Sequence, residues 1–105
     1  MVRAIATTAE YNDLIQSGKK VIVGFTASWC GPCKVVAPKF EELSEKYPDI
    51  EFVKVDIDKL RDVAHRAGVT SMPTFQTYYN GLKSSQFMGA SKAGLEGLVE
   101  DFAKI

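Results

Sequence analysis

Apolar residues recur along this chain in two rhythms, one at every third or fourth position and one of short continuous or alternating runs, and their succession outlines the fold. Ala4 to Ala6 is a short apolar run ending at Thr7-Thr8-Ala9-Glu10, where Thr7 and Glu10 have the spacing of a capping box. A helix is predicted there, with Tyr11, Leu14 and Ile15 on one face and Gly18 closing it. Val21 to Ala27 is almost wholly apolar and β-branched, the pattern of a strand buried on both faces. Ser28 to Cys33 then turns the chain into a second helix carrying Val36, Phe40, Leu43 and Tyr47, with Pro38 inside it expected to impose a kink. Ile50 to Ile57 alternates apolar with charged residues as a strand does. Asp58 is expected to cap a third helix striped by Leu60, Val63, Ala64 and Ala67 and stopped at Gly68, and Val69 to Pro73 reads as a loop. Thr74 to Tyr79 and Leu82 to Met88 flank Asn80-Gly81, a strong hairpin signal, and Ser91 opens a last helix with Leu95, Leu98, Val99 and Phe102 on one face.

The order βαβαβαββα defines an α/β protein: a central mixed sheet of five strands flanked by four helices, with one antiparallel pair at the hairpin. Residues 1–105 show no repeat, linker or charge block, so one domain is expected. Thirteen basic and thirteen acidic residues are interspersed, which gives no footprint for nucleic acid and no polybasic membrane patch. The longest strongly apolar stretch, Val21 to Phe25, is far short of the ~20 residues of a membrane span. The first residues lack the apolar core of a secretory signal, so the expected compartment is the cytosol. A chain of this length buries roughly two thirds of its unfolded surface, so its cysteines are not needed as a staple.

Those cysteines are two in number, Cys30 and Cys33, and they sit two residues apart at a strand-to-helix junction. Zinc and iron–sulfur sites need four ligands, and His65 falls on the solvent side of the third helix; haem attachment needs a His where residue 34 is Lys. No metal is expected. A structural disulfide across so short a loop removes little chain entropy. Thiol–disulfide exchange accounts for the placement better. Cys30, at the exposed start of a helix, has unpaired backbone N–H groups and the positive dipole end to stabilise a thiolate, and is the expected nucleophile. Cys33, one turn inward and more buried, is the expected resolving thiol. Gly31-Pro32 between them suits a first helical turn, and Pro32 stiffens it. Trp29 reads either as core or as an exposed substrate platform. Phe75 and Tyr78-Tyr79 read as sheet packing, and His65, Lys19-Lys20 and Glu41-Glu42 as solvated.

Trp29-Cys30-Gly31-Pro32-Cys33-Lys34, with Ala37-Pro38 on the same helix and Met72-Pro73-Thr74 before a strand, resembles the thioredoxin family over essentially the whole chain. Val55 to Asp58, Ser71 to Phe75 and Gly89-Ala90 are most similar to its eukaryotic cytosolic branch, fungal members in particular. The resemblance implies the thioredoxin fold and a protein-disulfide reductase and electron carrier, with a redox-active Cys30/Cys33 pair and no bound cofactor. It implies a cis bond before Pro73 facing the cysteines, and a Met72 backbone that hydrogen-bonds an extended substrate. An apolar groove of Trp29, Val69, Ser71, Met72, Gly89 and Ala90 is implied to receive the partner protein. Asp58 is implied to accept a hydrogen bond from the Trp29 indole, a role compatible with capping. The implied partners are a thioredoxin reductase, through which NADPH is used indirectly, and disulfide-containing clients such as peroxiredoxins and reductases. A monomer in the cytoplasm, and in the nucleus as well, completes what the resemblance implies.

The pattern breaks at one position. Family members usually carry a buried Asp six residues ahead of the nucleophile, where it helps move the resolving thiol's proton; here that residue is Gly24. A carboxylate there is costly to ionise and a strand glycine costs chain entropy, so the net effect on stability is left open. Without the carboxylate, deprotonation of Cys33 falls to water, hydroxide or a neighbour such as Lys54. The resolving step is then expected to be slow near neutral pH and to be accelerated by Gly24→Asp. Two rival readings stand beside the reductase. One is an oxidant or isomerase, although Gly31-Pro32 between the cysteines resembles the reducing branch, whereas isomerases usually carry Gly-His there and a secretory signal; the other is a binding protein that would use the groove without turnover.

Overall fold

A computed structural model describes residues 1–105 and places nine elements in chain order. They are β1 (Arg3–Ala4), α1 (Thr8–Gln16), β2 (Val21–Thr26), α2 (Gly31–Lys46), β3 (Glu51–Asp56), α3 (Arg61–Arg66), β4 (Thr74–Tyr79), β5 (Leu82–Met88) and α4 (Lys92–Ala103). The expected βαβαβαββα succession is present, and the sheet order is β1-β3-β2-β4-β5. β2 is central and parallel to β3, with Gly24 opposite Lys54; β1 is parallel to β3 on its other side.

The sheet has two antiparallel pairs where sequence reading expects one. β4 runs antiparallel to β2 as well as to β5. The chain leaving α3 enters the sheet from the end opposite to β2 and β3, so this third connection is not a parallel crossover. At the β4–β5 turn, Asn80 (φ 55°) and Gly81 (φ 79°) both adopt the left-handed region that a tight hairpin requires.

Alternation along β2 and β3 divides the core between the two sheet faces. Val21, Val23, Phe25, Val53 and Val55 pack against Tyr11, Leu14 and Val63 from α1 and α3. Ile22 and Phe52 face the other way, with Val36, Phe40 and Leu43 of α2 and Leu95, Val99 and Phe102 of α4. Gly24 lies on this second face, and its missing side chain matters to the site below. On the first face a buried polar chain crosses the core. The Tyr11 hydroxyl donates to Tyr78 (3.3 Å), Tyr78 to Gln76 Oε1 (2.6 Å), and Gln76 Nε2 to the Ala67 carbonyl (2.8 Å) and Gln86 Oε1 (2.9 Å). Every buried polar side-chain atom has a partner. Burial and the shared hydrogen bond push the Tyr11 phenol far above its usual range, and burial raises Tyr78 as well.

Local sequence explains most boundaries. Thr7 Oγ1 accepts from the Glu10 amide (3.1 Å) while Glu10 reaches back to the Ala6 amide (2.7 Å). Gly18 follows the end of α1 at φ 83°, where a side chain would be strained. α2 runs through Pro38 without interruption for 16 residues. Asp58 does not cap α3: Leu60 holds the cap position with no side-chain bond, and its amide is satisfied by the Asp56 carbonyl (3.0 Å). The Asp58 carboxylate is engaged elsewhere.

Candidate active site

β2 delivers the chain to the amino end of α2, and there Cys30 and Cys33 are joined in a disulfide, their Cα atoms 5.4 Å apart. Cys30 is the residue that caps α2. Its sulfur accepts the Cys33 amide at 3.2 Å, so one of the helix's orphan donors already points at it. Gly31 and Pro32 form the first turn, and Pro32 has no amide to leave unsatisfied. The expected contrast in burial is absent: Cys30 and Cys33 are 4% and 5% exposed. Ala27 packs with the two cysteines, and Ile57 and Met72 pack against this cluster.

Trp29 is 66% exposed, which settles its reading against the core. Its indole N–H donates to Asp58 Oδ2 at 2.9 Å, and Asp58 is itself tethered because its amide donates to Asp56 Oδ1 at 2.9 Å. The ring is thereby held at the rim of a groove of about 440 Å³ whose other walls are Cys30 to Pro32, Ile57 and Val69 to Met72. The bond between Met72 and Pro73 is cis. Thr74 Oγ1 donates to the Ser71 carbonyl (2.7 Å), and the Gly89 amide donates to the Pro73 carbonyl (2.9 Å). These bonds fix the loop. Gly89 is thus beside Pro73, but neither it nor Ala90 lines the groove at Trp29. Ile57, just past β3, does line it; its place at the end of the alternating run from Ile50 is the available signal. Met88, half exposed, accepts a weak hydrogen bond from Ser71 Oγ through its sulfur at 3.6 Å.

Behind the disulfide a second cleft of about 140 Å³ opens between α2, β2 and β4. Cys33, Gly24, Lys54 and Pro73 all line it. The space above Gly24 is occupied by aromatic edges: a Cβ there would lie 3.2 Å from both Phe40 Cε2 and Phe75 Cε1. The two rings stack at a tilt with centroids 5.2 Å apart. Sequence reading assigned Phe75 to packing, and the structure adds that it closes over Gly24. No group of three or more His, Cys, Asp or Glu side chains gathers as a metal site, and no helix is long and apolar enough to cross a membrane.

A disulfide-forming pair at a helix amino terminus, set in an apolar groove beside an exposed indole, defines a thiol–disulfide oxidoreductase built on the thioredoxin fold. Comparison with known proteins agrees. The family model Thioredoxin matches residues 2–101, and the chain belongs to the thioredoxin family. It is 44% identical to thioredoxin-1 of Schizosaccharomyces pombe over 100 residues, covering 95% of this chain and 97% of that one. It is 46% identical to thioredoxin of Coprinus comatus over 102 residues, covering 95% and 96%. The thioredoxin structure of Plasmodium falciparum superposes with a TM-score of 0.92 at 40% identity, covering 94% of this chain and 97% of that chain.

Proposed function

We propose that the whole chain works as one domain that reduces disulfides in client proteins, with Cys30 as nucleophile and Cys33 as resolving thiol. In the reduced protein the Cys30 thiolate attacks one sulfur of a client disulfide. A Cys30–client bond forms, and the electron pair of the broken bond leaves with the other client sulfur. Cys33, once deprotonated, attacks Cys30 Sγ. The Cys30–Cys33 bond closes, and the second client sulfur departs as a thiolate. Two electrons have passed from the protein to the client.

The observation that carries this reading is the Cys30–Cys33 pair at the amino end of α2, walled on one side by the open groove. Trp29, Val69, Ser71 and Met72 supply an apolar surface that an extended client segment can cover, and the Met72 backbone is available to hydrogen-bond it. Gly89 and Ala90 extend that surface past Pro73. Lys54 stands at the Cys33 cleft as a group through which a proton can reach solvent. Asp58 acts through Trp29 as a positioning residue.

Return to the dithiol falls to a thioredoxin reductase that draws on NADPH, and the clients are disulfide-bearing proteins such as peroxiredoxins and reductases. The reducing cytoplasm, and the nucleus with it, is the compartment where this cycle runs. Cys33→Ser tests the assignment of roles. It should accumulate a covalent adduct with an oxidised client peptide, visible by mass and released by dithiothreitol. Cys30→Ser should form none. An adduct on Cys30→Ser but not on Cys33→Ser would reverse the two roles.

A further inference from the structure

We propose that the cleft behind Cys33 binds a small monocarboxylate, and that the bound carboxylate accepts the Cys33 proton in the resolving step. The inference rests on the reductase reading above and adds a ligand to it. Resolution requires a base, because only the thiolate of Cys33 attacks. Of the eleven residues lining the cleft, none is Asp, Glu or His. Its walls are chiefly apolar: Phe40, Phe75, Val36 and Pro73 surround the backbone of Gly24.

Two cations bound it, Lys34 from α2 and Lys54 from β3, and both also line the adjoining surface depression. That depression contains one carboxylate, Asp56, along with Lys59. Asp56 does not enter the cleft, and one of its oxygens is occupied by the Asp58 amide. An apolar recess lined also by two lysines and by Cys33 fits an anion with a short hydrocarbon part. The volume of about 140 Å³ is close to the ~150 Å³ of an apolar cavity known to accept benzene, so acetate or propionate has room.

The step balances. The carboxylate takes the thiol proton and becomes the acid; the Cys33 thiolate attacks Cys30 Sγ; the client sulfur leaves with the electron pair of the broken bond. That client thiolate then takes a proton from the acid or from solvent. The carboxylate is regenerated or exchanged.

Dithiodipyridine in stoichiometric amount separates the steps, because the attack of Cys30 releases one thiopyridone and the attack of Cys33 releases the second. Potassium acetate is compared with potassium chloride at equal ionic strength and fixed pH near neutrality. The expected result is a second release that accelerates and saturates with acetate, by roughly tenfold, below the ~10²–10⁴ of a fully positioned base. Saturation-transfer NMR should link the acetate methyl to the Phe40 and Phe75 rings. A second release that is unchanged or that rises linearly without saturation overturns the proposal, as does the absence of transfer from those rings. Gly24→Asp should abolish the acetate response; an undiminished response in that variant, if it folds, also overturns it. Two sequential releases without acetate uphold the reductase reading whatever acetate does, and no release at all contradicts that reading itself.

Discussion

Gly24→Asp puts a charge and a side chain where the structure keeps two aromatic edges. The new Cβ meets Phe40 and Phe75 at 3.2 Å, closer than ordinary van der Waals contact, and both rings are buried in the α2–α4 face of the core. Overpacking of this kind costs about 1–3 kcal/mol. Replacing a strand glycine returns about 0.5–1 kcal/mol by restricting the unfolded chain. The apolar surroundings also raise the new carboxyl above its unfolded value of about 3.9. A raised folded pKa means the carboxyl adds no penalty below that value and an increasing one as pH climbs through the folded pKa. We therefore expect a loss of about 1–3 kcal/mol near pH 8 that is smaller near pH 5. The same carboxyl should speed the second thiopyridone release, by up to about 10²-fold. Urea unfolding of the oxidised protein at both pH values measures the first, and stopped-flow absorbance the second. A variant as stable as its parent at pH 8, or destabilised equally at both pH values, would refute the packing and desolvation argument.

Three further predictions follow from other parts of the molecule. Tyr11→Phe removes one hydroxyl from the buried chain while Tyr78 keeps its bond to Gln76, so urea unfolding should show a loss of about 0.5–1.5 kcal/mol. Because both phenols are raised, their contribution is complete below about pH 10 and is lost on further rise, and the gap between parent and variant should narrow there. Asp62 accepts the Thr8 hydroxyl at 2.9 Å, which lowers its carboxyl pKa; Asp62→Asn should reduce stability near neutrality and converge with the parent as acid protonates Asp62. Trp29→Ala should leave stability within about 0.5 kcal/mol, since the ring is exposed, yet lower kcat/KM for protein disulfides by about tenfold. Reduction of a small disulfide should change far less.

What the chain discloses in advance is local. Apolar spacing places every helix and strand, Asn80-Gly81 places the hairpin, and Cys30-Gly31-Pro32-Cys33 after a buried strand places the chemistry. The differences arise where distant segments meet. β1 is only Arg3–Ala4 because its extent is set by pairing with β3, not by the apolar run from Ala4 to Ala6. Asp58 satisfies both N-cap preference and an indole partner in sequence terms, and only the folded loop brings Trp29 within reach of it. The equal burial of the two cysteines depends on Ile57 and Met72, contributed from beyond β3 and α3. Gly24 was recognisable as a departure. Its aromatic cover, drawn from α2 and β4, required the fold.

The most direct test is the initial rate of insulin disulfide reduction by the protein with dithiothreitol as electron donor, measured against Cys30→Ser as the blank. The rate should stand well above the blank and climb with pH, as expected where no carboxylate of the protein serves Cys33. A rate equal to the blank would contradict the reductase and leave the Trp29 groove as a binding surface alone.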